Sequence, residues 1–534
     1  MKMPMDLPTS VPELQALILE ESAQFSALEE NYDALQEDLG ALQENYGTLQ
    51  EEYGSLKQKY NFMVEQFKLA QQRRFARSSE SNILQQEMQF DEAEVIPVEE
   101  LPKEDNTITV TYTRNKPKRR TLPDNLPREV IEHDISEEDK LCACGCLKAR
   151  IGEEITEQLE VIPAKLTVIQ HVRPKYACNI CDEGVSIAPM PKLFLPKSMA
   201  APSLVAHTII SKYQDHLPLY RQEKIWQRMG IEMSRNTVCG WIMAAAEVCM
   251  PMRDALIRSL ISSNYIQADE TTTQVMDEPN RKNTSISYMW VYRSARPDKK
   301  VVLFDYRETR QARWPKEMLK DFKGYLQTDG YAGYDWVDDD PNIVHLGCMA
   351  HGRRPFAELV KLAKTTGKSH QAVAYFQKLY AIEKIAREGK YTPEQRFTLR
   401  LEKSKPILDE MKQWIDRSLQ HAMPQSALKT ALIYLSDRWQ ELTNYLLDGI
   451  LEIDSNGVEN QIRPFAVGRR NWLFSGSPRG AEASALFYSL IATAVANGWN
   501  PFDYLRYLFE NIRSCKTPDD FDSLLPFNII SKIN

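Results

Sequence analysis

The sequence predicts a multidomain α+β protein, and three observations predict it. Apolar residues repeat every seven positions near the N-terminus, five cysteines crowd between positions 142 and 181, and two aspartates end short apolar runs in the second half. At 534 residues the chain is too long for one hydrophobic core and should divide into roughly three or four units. Hydrophobic residues make up 43% and charged residues 26%, the balance of a globular rather than a disordered protein. No apolar run approaches the roughly 18 residues of a membrane span, and Ala485–Ala496 reads as a buried helix. The N-terminus has no charged-then-apolar leader, so a cytoplasmic location is expected, with cysteines free or metal-bound rather than paired.

The net charge of −8 is unevenly placed. Residues 1–105 hold 22 acidic and 8 basic side chains, a local −14, which leaves +6 on the remainder. Affinity for nucleic acid depends on local basic patches, so the acidic total does not exclude it.

Residues 1–80 are read as a coiled coil. Leu28, Leu35, Leu42, Leu49, Leu56 and Met63 recur at heptad spacing, and Phe25, Tyr32, Leu39, Tyr46, Tyr53, Tyr60 and Phe67 take the complementary positions. Two apolar residues per heptad with Glu and Gln outside them specify a narrow seam. The stripe favours self-association into a homo-oligomer over a helix folded back on its own chain, and Tyr at the a positions leaves the strand number open. Gln71–Glu80 closes the helix with a basic cluster, and residues 81–140, rich in Pro, Glu and Asp, read as a linker. Its basic island Arg114–Arg120 is either a solvated charge run or a phosphate contact.

Residues 141–192 carry Cys142, Cys144 and Cys146, then Cys178 and Cys181. Cys178-Asn-Ile-Cys181 has the spacing at which two thiolates face one tetrahedral ion. The alternation of Glu157–Tyr176 suggests a hairpin between the two halves. A structural zinc ribbon is expected rather than unrelated core cysteines. Residues 193–262 read as helical, and Pro218–Met229, Gly230 and Ser234–Ala246 have the outline of a helix-turn-helix. Ser234 suits an N-cap, which would set Arg235, Asn236 and Thr237 at the start of the second helix, where such helices meet DNA. A plain helical hairpin is the alternative.

Short strands follow. Asn264–Ala268 runs into Asp269, Ser287–Tyr292 and Val301–Tyr306 continue an antiparallel meander, a helix is expected around Ala312–Phe322, and Gly324–Thr328 leads into Asp329. Beyond a helix-rich stretch, Ile453–Arg463 (IDSNGVENQIR) offers Ser455 or Asn456 as the cap of a helix carrying Glu459. Three such acids suit Mg²⁺ or Mn²⁺, hard cations that prefer carboxylate oxygen and that can activate an attacking oxygen at a phosphodiester.

From the coiled coil to the C-terminus the chain resembles transposases of the insertion-sequence-66 family. The matching segments are RRFARSSE (73–80), IGEEITEQLEVIPAKLTVIQHVRPKYAC (151–178), QADETTTQV (267–275), LQTDGYAGY (326–334), CMAHGRRPFAEL (348–359) and the long run from Ile453 to Gly498. The resemblance implies a ribonuclease-H-like catalytic domain (263–354 and 451–505) interrupted by a helical insertion (355–450), with 506–534 as a C-terminal tail. It implies that Asp269, Asp329 and Glu459 are the metal-binding acids of a DDE transposase that cleaves element ends and transfers the 3′-hydroxyl into target DNA. Partners then include DNA and accessory transposition proteins, with a nucleoid-associated location and no membrane. Leu141 stands where the family's first zinc cysteine usually falls, so Cys142, Cys144, Cys178 and Cys181 are taken as the ligands, with Cys146 as substitute.

Arg463, Arg469, Arg470 and Arg479 follow Glu459 closely, and their planar guanidinium groups suit phosphate oxygens; pairing with Asp454 and Glu482 is the structural alternative. Arg353 and Arg354 form a second patch. Cys348 and His351 read as a strand-to-helix junction with a buried cysteine, and Trp472 and Phe474 as core residues. The competing function is a non-catalytic DNA-binding regulator, which has no need of three placed acids.

Overall fold

The computed structural model describes residues 10–75, 130, 166–176, 186–294, 298–362 and 366–529. Helix α1 (Val11–Phe75) is one continuous helix of 65 residues. Its heptad side chains lie open: Leu35 is 70% and Tyr46 67% exposed, a long apolar row of the kind that marks an interaction surface. In the small cysteine-bearing unit, β1 (Lys175–Tyr176) pairs antiparallel with β2 (Ser186–Ile187). The described part of the expected 157–176 hairpin forms no strand before Lys175. The partner of β1 lies instead beyond the segment that holds Cys178 and Cys181. Cys142, Cys144, Cys146, Cys178 and Cys181 themselves lie outside the described residues.

Helices α2 (Pro202–Tyr213), α3 (Leu219–Arg228) and α4 (Arg235–Ile261) follow. Gly230 takes φ +79° in the α3–α4 turn, a left-handed conformation glycine adopts without strain. Ser234 caps α4 by accepting from Thr237 N at 3.2 Å. Helix α4 continues to Ile261, within the stretch expected to be helical, because Ala255, Leu256 and Leu260 extend its buried face.

The central sheet has the order β5-β4-β3-β6-β7, built from β3 (Tyr265–Gln274), β4 (Ile286–Ser294), β5 (Val302–Arg307), β6 (Gly324–Gln327) and β7 (Ile343–Leu346), with the short helix α5 (Arg313–Met318) between β5 and β6. The first three strands form an antiparallel meander; β6 and β7 run parallel to β3. Asp269 does not end its strand, as its sequence suggested. It lies inside β3 opposite Val291, because the hairpin with β4 outlasts the three-residue pairing with β6. The exposed edge of β5 is closed by helix chemistry. Val302 N and Phe304 N donate to the hydroxyls of Thr493 and Ser489 at 3.1 and 2.8 Å, which satisfies backbone groups that would otherwise invite another strand.

After β7 come α6 (Met349–Leu362), then α7 (Lys368–Glu388), α8 (Pro393–Leu399), α9 (Lys405–His421), α10 (Ala427–Asp437) and α11 (Trp439–Thr443). These helices bury their own core around Phe356, Phe376, Met411, Ile415 and Leu432. At its centre Arg400, fully buried, pairs with Glu383 and donates to the carbonyls of Tyr445, Asp448 and Leu451 at 2.8, 2.9 and 2.7 Å. The chain then returns to the sheet as α12 (Asn456–Trp472) and α13 (Pro478–Ala496), and α14 (Pro501–Asn511), α15 (Pro518–Asp522) and α16 (Pro526–Ile529) complete the first core. Buried Phe487, Leu490 and Ile491 make α13 the core helix its sequence suggested. Phe474 departs from expectation: it is 45% exposed, on the turn after Leu473, whose φ of +68° swings the chain outward.

Candidate active site

Parallel pairing places the first two acids. Gln267 opposes Gln327, so Asp269 and Asp329 each stand two residues further along neighbouring chains. The glutamines anchor the floor. Gln267 Nε2 donates to Gln327 Oε1 at 2.8 Å and reaches Asp454 O at 3.1 Å, while Gln327 Nε2 donates to Gly347 O and Glu452 O at 3.1 and 3.0 Å. Beyond β6 the chain turns at Gly330, φ +86°, and Asp329 Oδ1 accepts from Tyr331 N at 2.9 Å. Tyr434, from the helical insertion, donates to Asp329 O at 3.0 Å.

Glu459 lies in the first turn of α12. Ser455 is the N-cap by position, but its hydroxyl makes no cap bond; Asp454 does this work, accepting from Asn456 N at 3.1 Å, and is itself held by Tyr380 Oη at 2.7 Å. Cys348 Sγ accepts from Ser455 N at 3.3 Å. Gly457 allows α12 to come close, since a Cβ there would collide with the Arg293 guanidinium and the Gln267 side chain.

The acids act on one another. Burial, then the charges of Glu270, Asp329 and Glu459, raises the Asp269 carboxyl well above the usual carboxylate range. Glu270 is a fourth carboxylate beside them, with its side chain buried and its pKa also raised by burial; Arg310 offsets part of this with a 2.5 Å hydrogen bond, and Tyr334 Oη donates at 3.3 Å. Arg310 in turn stacks 3.6 Å over the Tyr331 ring. Nothing about Glu270 stands out by composition, although its place immediately after Asp269 on one strand was visible.

His351 was read as part of a junction, and the junction is there, with Cys348 buried between β7 and α6. The structure adds that His351 Nδ1 lies 3.7 Å from Glu459 Oε1 and that Cys348, His351 and Glu459 bring possible ligand atoms together. A second such trio, Asp338, His345 and Glu441, is occupied by internal contacts. His345 lies 2.9 Å from Thr328 and 3.0 Å from Asp338, and Arg438 binds Glu441 at 3.0 Å.

The arginines spread along α12 and beyond. Arg469 donates to Thr272 Oγ1 at 3.0 Å, beside the outer half of β3. Arg463 is half-buried and Arg470 exposed on the same helix, while exposed Arg479 pairs with Glu247 rather than Glu482. Arg353 is buried and Arg354 exposed. Arg235 and Asn236 are exposed at the start of α4, with Arg235 N donating to Glu223 at 3.2 Å.

Comparison with known proteins defines the chain as a transposase. It belongs to the IS66 family: the description "Transposase IS66 family" matches residues 197–483, which hold all three acids. The zinc-finger binding domain of transposase IS66 matches 139–182, "Transposase C of IS166 homeodomain" matches 63–131, and the IS66 C-terminal element matches 489–527. Similar proteins from Sinorhizobium fredii are uncharacterized. The protein y4jD is 35% identical over 76% of this chain and 81% of its own length, and y4qI is 32% identical over 78% and 79%. No helix among the described residues is long and apolar enough to cross a membrane.

Proposed function

We propose that the protein is a metal-dependent DNA transposase in which Asp269, Asp329 and Glu459 hold the divalent ions of a ribonuclease-H-like catalytic domain. The observation that carries this reading is the convergence of three acids drawn from β3, the end of β6 and the first turn of α12, each fixed by its own backbone or side-chain anchor. A three-stranded meander extended by two parallel strands supports the fold assignment. The donor set fits Mg²⁺ or Mn²⁺: the ligand atoms are carboxylate oxygens, Asp269 carries strong mutual repulsion, and Glu459 Oε1 is buried without a hydrogen bond. Bound ions would lower the barrier by activating the attacking oxygen and neutralising charge at phosphorus.

The reaction is two displacements. Water attacks the phosphorus at the element end, the bond to the 3′ oxygen breaks, and that oxygen leaves as a 3′-hydroxyl opposite a 5′-phosphate. The freed 3′-hydroxyl then attacks a target phosphorus, loses its proton, and displaces the target's own 3′ oxygen. Gln267 and Gln327 hold the acid-bearing strands in register, and Arg469, with Arg463 and Arg470 on the same helix, offers phosphate contacts along the path of the DNA. Arg235 and Asn236, at the open start of α4, are the helix-turn-helix contacts. The exposed seam of α1 joins copies as a coiled coil, so that two ends are held together. Cys142, Cys144, Cys178 and Cys181 would hold a zinc ion in a structural role.

Purified protein with Mg²⁺ is expected to nick DNA bearing the element ends, and Asp269→Asn or Glu459→Gln to abolish nicking while leaving DNA binding intact. Undiminished cleavage by either variant would sink the assignment; tight binding without cleavage by the unaltered protein would favour a regulator.

A further inference from the structure

We propose that His351 is a nitrogen ligand in the same ion site as Glu459, making that half of the centre a mixed nitrogen–oxygen site that takes Mn²⁺ in preference to Mg²⁺. The inference rests on the metal-dependent reading above.

The geometry starts from an unsatisfied pair. His351 Nδ1 and Glu459 Oε1 are both buried and make no hydrogen bond, although they face each other at 3.7 Å. That gap is too long for a hydrogen bond, which closes to about 3.2 Å or less. Two atoms each about 2.1 Å from one ion stand about 3.0 Å apart when adjacent and about 4.2 Å apart when opposite. The observed 3.7 Å is below the opposite-ligand spacing, so one cation can touch both atoms. Leaving two buried polar atoms unpaired otherwise costs about 1–3 kcal/mol each. Both side chains keep 22% exposure, so the pair lies near the surface although the facing atoms themselves are covered.

The fold holds this pair deliberately close. Helix α6 begins where α12 begins: Met349 N donates to Ile453 O at 3.2 Å, and Cys348 Sγ accepts from Ser455 N. One turn further along, His351 meets Glu459. Cys348 and His351 thus grip the start of α12 and its acid in succession. The same contact decides which ion suits the site. Cys348 is fully buried and its sulfur is engaged by Ser455 N, so no soft thiolate is offered, and one imidazole with carboxylates remains. Imidazole raises affinity for transition-metal ions along the Mn²⁺ to Zn²⁺ series but does little for Mg²⁺.

The test is pulsed electron paramagnetic resonance on the full-length protein loaded with Mn²⁺. The unaltered protein is expected to show ¹⁴N modulation from a directly bound imidazole, replaced by the ¹⁵N pattern when histidine is ¹⁵N-labelled. His351→Gln should lose the modulation and raise the Kd for Mn²⁺ by about tenfold or more. Should that variant not fold, Glu459→Gln should also lose the nitrogen signal, because the ion is shared. Bound Mn²⁺ without nitrogen modulation in the unaltered protein overturns the inference and leaves the acid site standing. Modulation that persists in His351→Gln overturns it too, since another histidine is then the ligand. Absence of any Mn²⁺ binding overturns both this inference and the metal-dependent reading.

Discussion

Gln267 and Gln327 face each other across two parallel strands, Nε2 to Oε1 at 2.8 Å, each two residues before an acid of the site. Neither glutamine is free to leave. Tyr265 Oη donates to Gln327 Oε1 at 2.5 Å and Arg293 Nη1 to Gln267 Oε1 at 2.6 Å, so truncating either side chain strands buried partners. Gln327→Ala should cost about 1–3 kcal/mol of stability and weaken metal binding by letting Asp329 drift from Asp269. Denaturant unfolding and calorimetric metal titration measure the two effects, and an unchanged metal affinity would mean the pair does not set the acid spacing.

Gly457 controls how closely the third acid approaches. In Gly457→Ala the new methyl meets the Arg293 guanidinium and the Gln267 amide, so either those side chains leave their hydrogen bond or α12 moves outward with Glu459. Cleavage should fall at least tenfold, with about 1–3 kcal/mol lost in stability. Single-turnover nicking assays beside thermal melts separate the two, and full activity would show that α12 has slack.

Asp269 destabilises the metal-free protein. Burial and its carboxylate neighbours raise its pKa on folding, so the folded state is penalised as pH rises from the unfolded-state value through the raised one. Asp269→Asn should therefore melt higher than the unaltered protein in metal-free buffer at neutral pH. Adding Mg²⁺ or Mn²⁺ should raise the melting temperature of the unaltered protein and move the variant little. A scanning fluorimetry series with and without chelator is enough to check it.

Glu383 has the opposite sign. Burial alone would raise its pKa, but Arg400 and Arg396 outweigh burial and hold it below its usual 4.5. The stability it contributes is complete above about pH 4.5 and is lost as pH falls through the depressed folded value. Arg400→Met leaves Glu383 without its buried partner and should cost about 3–5 kcal/mol. Acid and urea titrations followed through Trp414 fluorescence report on this core, and a loss under 1 kcal/mol would contradict the role given to Arg400.

The α1 seam should be separable from the rest. Leu35→Asp with Leu49→Asp places charge in two repeats on either side of Leu42, at side chains 70% and 64% exposed in the single chain. Self-association measured by sedimentation should fall to monomer without loss of thermal stability in residues 192–529. A monomer already present in the unaltered protein at micromolar concentration would remove the coiled-coil reading.

Local patterning carried the meander, the buried α13 and the Ser234 cap, because strand alternation, helix length and capping are short-range properties. Asp269 and Asp329 are legible as acids following apolar runs, and the Gln-x-Asp pattern shared by Gln267–Asp269 and Gln327–Asp329 is a second sign of the pair. What escaped was set by pairing at a distance. Strand β7 is four residues long and lacks a signal of its own, and Asp269 was misplaced because β4 extends β3 beyond its apolar half. Glu459 depended on family resemblance, since its approach to β3 is fixed by Gly457 and Arg293. The spacing of Cys348 and His351 was visible, but their partners, Ser455 and Glu459, lie on the far side of the whole insertion.

That insertion also imposes an order on synthesis. The ribosome delivers Asp269 and Asp329 first and Glu459 only after α7 through α11, and Arg400 bonds the carbonyls of Tyr445, Asp448 and Leu451, where the insertion gives way to the third acid's segment. A polypeptide cut short anywhere in this region carries Asp269 and Asp329 without Glu459, and so only part of the proposed ion site. On the proposed assignment, products that end within the insertion lack Glu459 and are expected to be inactive in cleavage.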